Sequence, residues 1–128
     1  MDIANEKIFL MIITKDDIYN ITKENTKINY EKLTLILKDF LNSNNLKLED
    51  IQKIYVNRGP GSFAGIRNSL SIVKAINIAR NVDYYCYSIE DFKDQKDVKY
   101  EDIPNLCDKF KIKKNLIKPI YLSCLLYT

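Results

Sequence analysis

All three glycines of the chain fall within one ten-residue stretch, Arg58-Gly59-Pro60-Gly61-Ser62-Phe63-Ala64-Gly65-Ile66-Arg67, which also holds one of the three prolines. The residues with special backbone behaviour are thus concentrated at a single corner, and that corner limits the folds open to the chain. Glycine reaches φ > 0 without steric cost, so Gly59 and Gly61 are expected to use that freedom. Pro60 fixes its own φ and stiffens the turn. Ser62 is placed to cap a helix, a contribution of about 1 kcal/mol. Gly65, one turn into that helix, leaves room for another backbone to approach. Ile54-Tyr55-Val56 before the corner reads as a buried strand, and Phe63 to about Ala79 after it is apolar-periodic. The unit is strand–turn–helix, with Arg58 and Arg67 at its two ends.

Three chemistries compete for this corner. A glycine-rich loop at a helix N-terminus aims free N–H groups at an anion. The P-loop pattern is not met, because no Gly-Lys-Ser/Thr closes it. The dinucleotide pattern is not met either, because Gly65 lies four positions beyond Gly61 where that pattern needs three. A nucleophilic Ser62 lacks a histidine to activate it, and the Gly-x-Ser-x-Gly elbow is missing. The remaining reading is structural: a stiff corner packs the helix closely on a sheet and leaves a small-residue helix face for a partner.

The flanking chain supplies the sheet. Ile8 to Ile13 is a continuous apolar run of strand length, suited to a sheet covered on both faces. Lys15-Asp16-Asp17 is a turn signal, and Ile18 to Thr22 follows as a second strand, making a hairpin. Asn29 is expected to cap a helix from about Tyr30 to Asn42, with Leu33, Ile36, Leu37, Phe40 and Leu41 as its apolar stripe. Glu49-Asp50-Ile51 reads as a short connector. Phe63 and Ile66 are expected in the core. Asp83 to Tyr87 reads as a further strand, and Tyr84, Tyr85 and Tyr87 alternate faces along it, so at least one is core. Ser88 with Asp91 resembles a capping box. Lys93 to Lys99 is a linker, Glu101 to Phe110 a short helix, Lys111 to Lys118 a basic loop, and Ile120-Tyr121-Leu122 an edge strand. The order β-β-α-β-α-β argues for a mixed α/β sheet with flanking helices.

Composition removes several function classes. Of 128 residues none is histidine, which takes away the commonest general base and zinc ligand. The net charge of +3 is weak, and the lysines are spread along the chain, so nothing singles out nucleic acid. Cys86, Cys107 and Cys124 are widely spaced, odd in number and read as free thiols in a reducing compartment. No apolar run reaches the roughly 18 residues of a membrane span. A cytoplasmic protein without metal or cofactor is expected. Asp16, Asp17, Asp39, Glu90 and Asp91 read as turn and surface carboxylates, because their spacing offers no coordination pattern.

The run from Val56 to Arg67, followed by Ser71-Ile72-Val73-Lys74-Ala75, resembles the signature of the TsaB (YeaZ) family, close to G-R-G-P-G-S-F-T-G-L-R. The match is strong from about residue 51 to 91. Tyr30 to Leu41 is similar to the family's first amphipathic helix, and Pro119-Ile120-Tyr121-Leu122 to its Pro-x-Tyr-Leu-Arg. The resemblance implies an actin-like, ribonuclease-H-like (ASKHA) lobe, in a family filed with glycoprotease-type peptidases. It implies a non-catalytic scaffold subunit in making threonylcarbamoyladenosine at position 37 of transfer RNA. The implied partners are a TsaD-type transferase and a TsaE-type ATPase, with a homodimer when alone.

The chain departs from the family pattern at both ends. Asp2-Ile3-Ala4-Asn5 is similar to the Asp-Thr-Ser turn that closes the family's first strand, with most of that strand missing. A sheet lacking a strand leaves an edge that another chain can cover. The expected organisation is a lobe over 1–92 and a vestigial segment over 93–128 returning to it, the second lobe largely missing. Ala64, Asn68 and Ser123 stand where the family usually has Thr, a small or apolar residue, and Arg. The partner-interface residues implied are Ala64, Arg67, Asn68, Ser71 and Lys74, with the exposed side of the Tyr30–Leu41 helix. The corner residues Arg58, Gly59, Pro60, Gly61, Ser62, Phe63 and Gly65 are structural. The alternatives are a small nucleotide- or phosphate-binding protein that uses the corner, and a degenerate homodimer without a role in transfer RNA modification.

Overall fold

A computed structural model describes residues 1–4, 7–24, 26–93 and 95–120, and of Tyr30 the backbone alone. The apolar run opens the fold as β1 (Lys7–Ile13), which pairs antiparallel with β2 (Ile18–Glu24) in the register Leu10 opposite Ile21. The turn between them is closed by Thr14, whose N–H donates to the Asp17 carbonyl at 2.9 Å, while its Oγ1 accepts from the Asp17 N–H at 2.9 Å. This is the hairpin expected from the Lys-Asp-Asp turn.

The first helical region starts earlier than its apolar stripe suggests. It comprises α1 (Lys27–Glu31) and α2 (Leu33–Ser43), with Ile36 N–H donating to Lys32 O at 2.8 Å across the junction. Asn29 is not the cap. Thr26 takes that role, its Oγ1 accepting from the Asn29 N–H at 3.1 Å, and the Asn29 amide donates instead to the Glu24 carbonyl at 2.7 Å. Thr and Asn are both good cap residues, so composition alone did not decide between them. Leu33, Leu37, Phe40 and Leu41 are buried as the stripe requires. Asn45, at φ 59°, ends the segment, and a single 3₁₀ turn at Leu48–Asp50 leads on.

β3 (Lys53–Asn57), the corner, α3 (Phe63–Arg80) and β4 (Asp83–Tyr87) form a parallel β-α-β unit with Val56 opposite Cys86. Asn81 at φ 56° closes α3, its N–H donating to Asn77 O at 2.9 Å. Ser88 and Asp91 form the expected capping box around the 3₁₀ turn Ile89–Asp91. A further turn at Tyr100–Asp102 leads into α4 (Ile103–Lys109), with Pro104 in its first turn.

The two strand pairs are joined through Met1 and Asp2. Asp2 exchanges both backbone hydrogen bonds with Phe9 at 2.9 Å, and Asn57 N–H donates to Met1 O at 3.0 Å. The strand order is therefore β2-β1-(Met1–Asp2)-β3-β4, a mixed sheet. Its core gathers Ile3, Ile8, Leu10, Leu33, Val56, Ile66, Leu70, Val73 and Tyr84. A second cluster, Tyr87, Phe92, Ile103, Leu106 and Cys107, packs α4 on the far side of β4. The segment expected as a plain basic loop does more than connect: Asn115 N–H donates to Tyr84 O at 2.7 Å and its Oδ1 accepts from Tyr84 N at 3.0 Å, covering the outer edge of β4. Tyr121 and Leu122 of the expected edge strand, with Ser123 and Cys124, lie outside the described residues, as does Asn5.

Candidate functional site

The corner is built from both ends of the chain. Asn57, buried at the end of β3, turns its Oδ1 back to accept the Gly59 N–H at 2.9 Å, an Asx turn. Gly59 stands at φ 114°, a backbone state that side chains disfavour, and a Cβ there would also collide with the Ile120 carbonyl oxygen. The Gly59–Pro60 peptide is cis. Gly61 differs from expectation. Its φ is not positive, and its need for glycine is one of space: a Cβ would drive into the Ala4 carbonyl. Ser62 N–H donates to that same carbonyl at 2.9 Å. Ser62 then caps α3, its Oγ accepting from Gly65 N–H at 3.2 Å. Gly65 is buried.

Arg58 is a clamp. Its Nη2 lies 2.6 Å from Asp91 Oδ1 and its Nε 3.3 Å from Asp91 Oδ2, while Nη1 donates to the Lys118 carbonyl at 3.0 Å. The two side chains are only 13% and 20% exposed. Asp91 also accepts from the Ser88 N–H at 2.8 Å, so one carboxylate serves the capping box and the clamp. The Arg58 N–H donates to Tyr87 O at 2.7 Å and its carbonyl accepts from Ile120 N–H at 2.8 Å. The donors of the corner named so far are thus turned inward, onto the chain's own acceptors. This is the geometry of a structural joint.

What the joint positions is α3. Ile66, Ser69, Leu70, Val73 and Ile76 face the core. Ala64, Arg67, Ser71 and Lys74 are exposed in a row on the other side, with Asn68 half-buried beside them. Ser71 Oγ donates to the Arg67 carbonyl at 2.8 Å. Phe63, expected in the core, is 43% exposed, and the Arg67 guanidinium sits 5.7 Å from its ring centroid. It is the first residue of α3, and its ring serves there as a platform for that cation. Lys74 approaches the Tyr84 ring at 6.0 Å. Ile78 further along α3 is 74% exposed and Leu35 on α2 is 53% exposed.

Sequence reasoning missed a second constellation beside the corner. Asp2 is buried; its Oδ1 accepts from Ala4 N–H at 3.1 Å and its Oδ2 from the Tyr100 hydroxyl at 2.7 Å. The Tyr100 ring stacks on Phe9 at 4.1 Å between centroids. Burial, reinforced by the hydrogen bond to Asp2 and by its charge, pushes the Tyr100 hydroxyl well above its ordinary range. Nothing local announces a contact spanning 98 positions. Cys86 and Cys107 are free and buried, and burial pushes their thiols up to about 11 and about 12. Among the described residues no helix is long and apolar enough to cross a membrane.

Comparison with known proteins gives this geometry a family. The family model described as TsaD, tRNA N6-adenosine threonylcarbamoyltransferase, matches residues 24–88, 65 of the 128. The tRNA threonylcarbamoyladenosine biosynthesis protein TsaB of Buchnera aphidicola subsp. Baizongia pistaciae (strain Bp) is 29% identical over 75 residues, which are 59% of this chain and 34% of that protein. YeaZ from Pseudomonas aeruginosa superposes with a TM-score of 0.63 at 20% identity, over 68% of this chain and 41% of that one. A second structure, of an uncharacterized protein with similarity to peptidase YEAZ from Pseudomonas aeruginosa, gives the same TM-score and identity over 68% and 40%. At that identity the structures speak for the fold, and the chain spans between a third and two-fifths of the length of these relatives. The matched span includes β3, the corner, α3 and β4, and on it the chain belongs to the TsaD family, with the TsaB (YeaZ) proteins as its relatives.

Proposed function

We propose that this protein is a non-catalytic partner subunit in the threonylcarbamoylation of adenosine 37 of transfer RNA, docking a TsaD-type transferase through the outer face of α3. The observation that carries the reading is the family match across β3, the corner and α3, together with the exposed row Ala64, Arg67, Ser71 and Lys74 that the corner holds in place. Residues 1–92 form the docking lobe and residues 93–128 a vestigial segment, of which Tyr100, Asn115 and Ile120 bond back to Asp2, Tyr84 and Arg58. A TsaE-type ATPase joins the pair in the cytoplasm, and the subunit self-associates when the transferase is absent. The chain has no histidine, in keeping with a supporting role.

Arginine and lysine on this face supply electrostatic steering, and small residues between them let another helix approach. Co-purification with the transferase, and rescue of the modification in a strain depleted of its own TsaB-type protein, test the proposal. Arg67→Glu with Lys74→Glu is expected to weaken the complex at least tenfold while leaving the melting temperature within a few degrees, since both side chains lie on the surface. A homodimer that the transferase does not dissociate, combined with no rescue, would overturn it.

A further inference from the structure

The outer face of β3 and β4 carries a pair of stacked tyrosines, and a lysine-rich loop borders it. Side chains alternate along a strand, so Ile54, Val56, Tyr84 and Cys86 enter the main core while Lys53, Tyr55, Asp83, Tyr85 and Tyr87 take the other face. Tyr87 is buried there with the residues of α4, but Tyr55 and Tyr85 only flank that cluster and stay half-buried. They stand opposite each other in the ladder, with ring centroids 5.0 Å apart and planes 14° apart. Burial and the nearby Asp108 charge push the Tyr55 hydroxyl up to about 12, so that ring is neutral at physiological pH. Lys114 faces Tyr85 in an isolated antiparallel bridge, and its Nζ lies 3.5 Å from Asp83 Oδ2. Residues 109–118 hold five exposed lysines and no carboxylate, a charge of +5 in a chain whose net charge is +3, so the rest of the chain sums to −2. This loop is pinned along its length. Ile112 N–H donates to Cys107 O at 2.9 Å, Asn115 is held by Tyr84 and donates to Asp83 Oδ1 at 2.9 Å, and the Lys118 carbonyl accepts from Arg58. Among the described residues Lys111, Lys113 and Lys118 have no carboxylate partner.

We infer that this surface binds an unpaired segment of RNA, with the lysines of residues 109–118 on its phosphates and a base stacked against the Tyr55–Tyr85 pair. A fixed row of like charges without carboxylates among them repels itself, and a polyanion relieves that repulsion while releasing its own counterions. Aromatic rings beside such a row accept the flat face of a base, which is free to stack where the strand is unpaired. The choice of RNA over DNA rests on the transfer RNA reading above. The surface lies across the sheet from α3, which packs on the main core, so RNA and the proposed transferase contact do not compete.

Fluorescence anisotropy on the full chain without the transferase tests it, with a labelled single-stranded RNA of about twelve nucleotides as the probe. The comparison ligands are DNA of the same sequence, inorganic polyphosphate, poly-glutamate, and vesicles of phosphatidylcholine and phosphatidylserine in equal parts. RNA binding is expected to saturate and to weaken with salt, and Lys111→Gln with Lys113→Gln should lower the slope of log K against log salt by about 1.4. Tyr85→Leu should weaken RNA at least fivefold and leave polyphosphate binding unchanged. In the unsubstituted protein the Tyr55 and Tyr85 ring protons should shift on RNA addition and not with polyphosphate, which reads the stack without altering a half-buried side chain. No RNA binding, or RNA binding with unmoved ring protons, overturns the inference. Tighter binding to the DNA, to poly-glutamate or to the vesicles also overturns it; the last two would assign the loop, with its exposed Leu116 and Ile117, to a protein or a membrane surface. A protein that co-purifies with the transferase and rescues the modification but binds no RNA refutes this inference alone. One that binds RNA as expected and fails in both refutes the transferase reading alone.

Discussion

Arg58 is the side chain through which the corner is most exposed to perturbation. Arg58→Met keeps much of the aliphatic stem and removes three hydrogen bonds, two to Asp91 and one to the Lys118 carbonyl. Asp91 is left as a carboxylate whose side chain is only 20% exposed, with the Ser88 N–H as its remaining donor. Breaking a buried ion pair from one side costs about 3–5 kcal/mol, and the partial exposure here argues for the lower end, about 3 kcal/mol. For a chain of this length that corresponds to a fall of roughly 10 °C in melting temperature. Asp91→Asn keeps an acceptor for Ser88 and should cost about 2 kcal/mol. The double variant decides the matter. Once Asp91 is neutral, losing Arg58 no longer strands a charge, so the two costs should fall short of additivity by about 1.5 kcal/mol or more. Urea unfolding of the four proteins measures this directly. Costs additive to within about 0.3–0.5 kcal/mol would mean that the pair behaves as a solvated surface bridge, and the reasoning about a clamped corner would fail.

Gly61→Ala places a methyl group against the Ala4 carbonyl and should destabilise by about 1–3 kcal/mol in urea unfolding, although no positive φ is involved. Ser62→Ala removes the α3 cap and should cost about 1 kcal/mol, with Ser62→Asp nearly neutral. The Asp83 carboxyl is held below its ordinary value of 3.8 by the hydrogen bond from Asn115 and by Lys114; a depressed carboxylate contributes stability above the unfolded value and loses it as pH falls through the folded one, so Asn115→Ala should raise the Asp83 titration seen by NMR. Cys86 and Cys107, buried and with thiols pushed up to about 11 and 12, should resist a disulfide reagent at pH 8 in the native protein and react fully in denaturant, which peptide mass mapping resolves.

The elements that were legible in the sequence are those governed by local chemistry. The Ile8–Ile13 run, the Lys-Asp-Asp turn, the Leu33–Leu41 stripe and the Ser88–Asp91 box each carry their cause within a few residues, and each formed as read. What escaped depends on contacts distant in sequence. Asp2 meets Tyr100, Arg58 meets Lys118, and Asn115 covers β4; no periodicity reports such meetings, because period describes a face and not its occupant. Phe63 was misplaced for a related reason. Its apolarity fits the helical stripe, but at the first position of α3 its side chain is 43% exposed and its ring carries the Arg67 guanidinium.

Gly61 shows how a correct residue choice can rest on a different cause. Glycine at a turn invites the assumption of a left-handed backbone, and at Gly59 that holds. At Gly61 the constraint comes from the chain's other end, where the Ala4 carbonyl approaches so closely that no side chain fits. The same carbonyl accepts the Ser62 N–H, and Ser62 caps α3. Met1–Ala4 thus does two things at once: it bridges the strand pairs and seats the N-terminus of the helix that carries the proposed docking face.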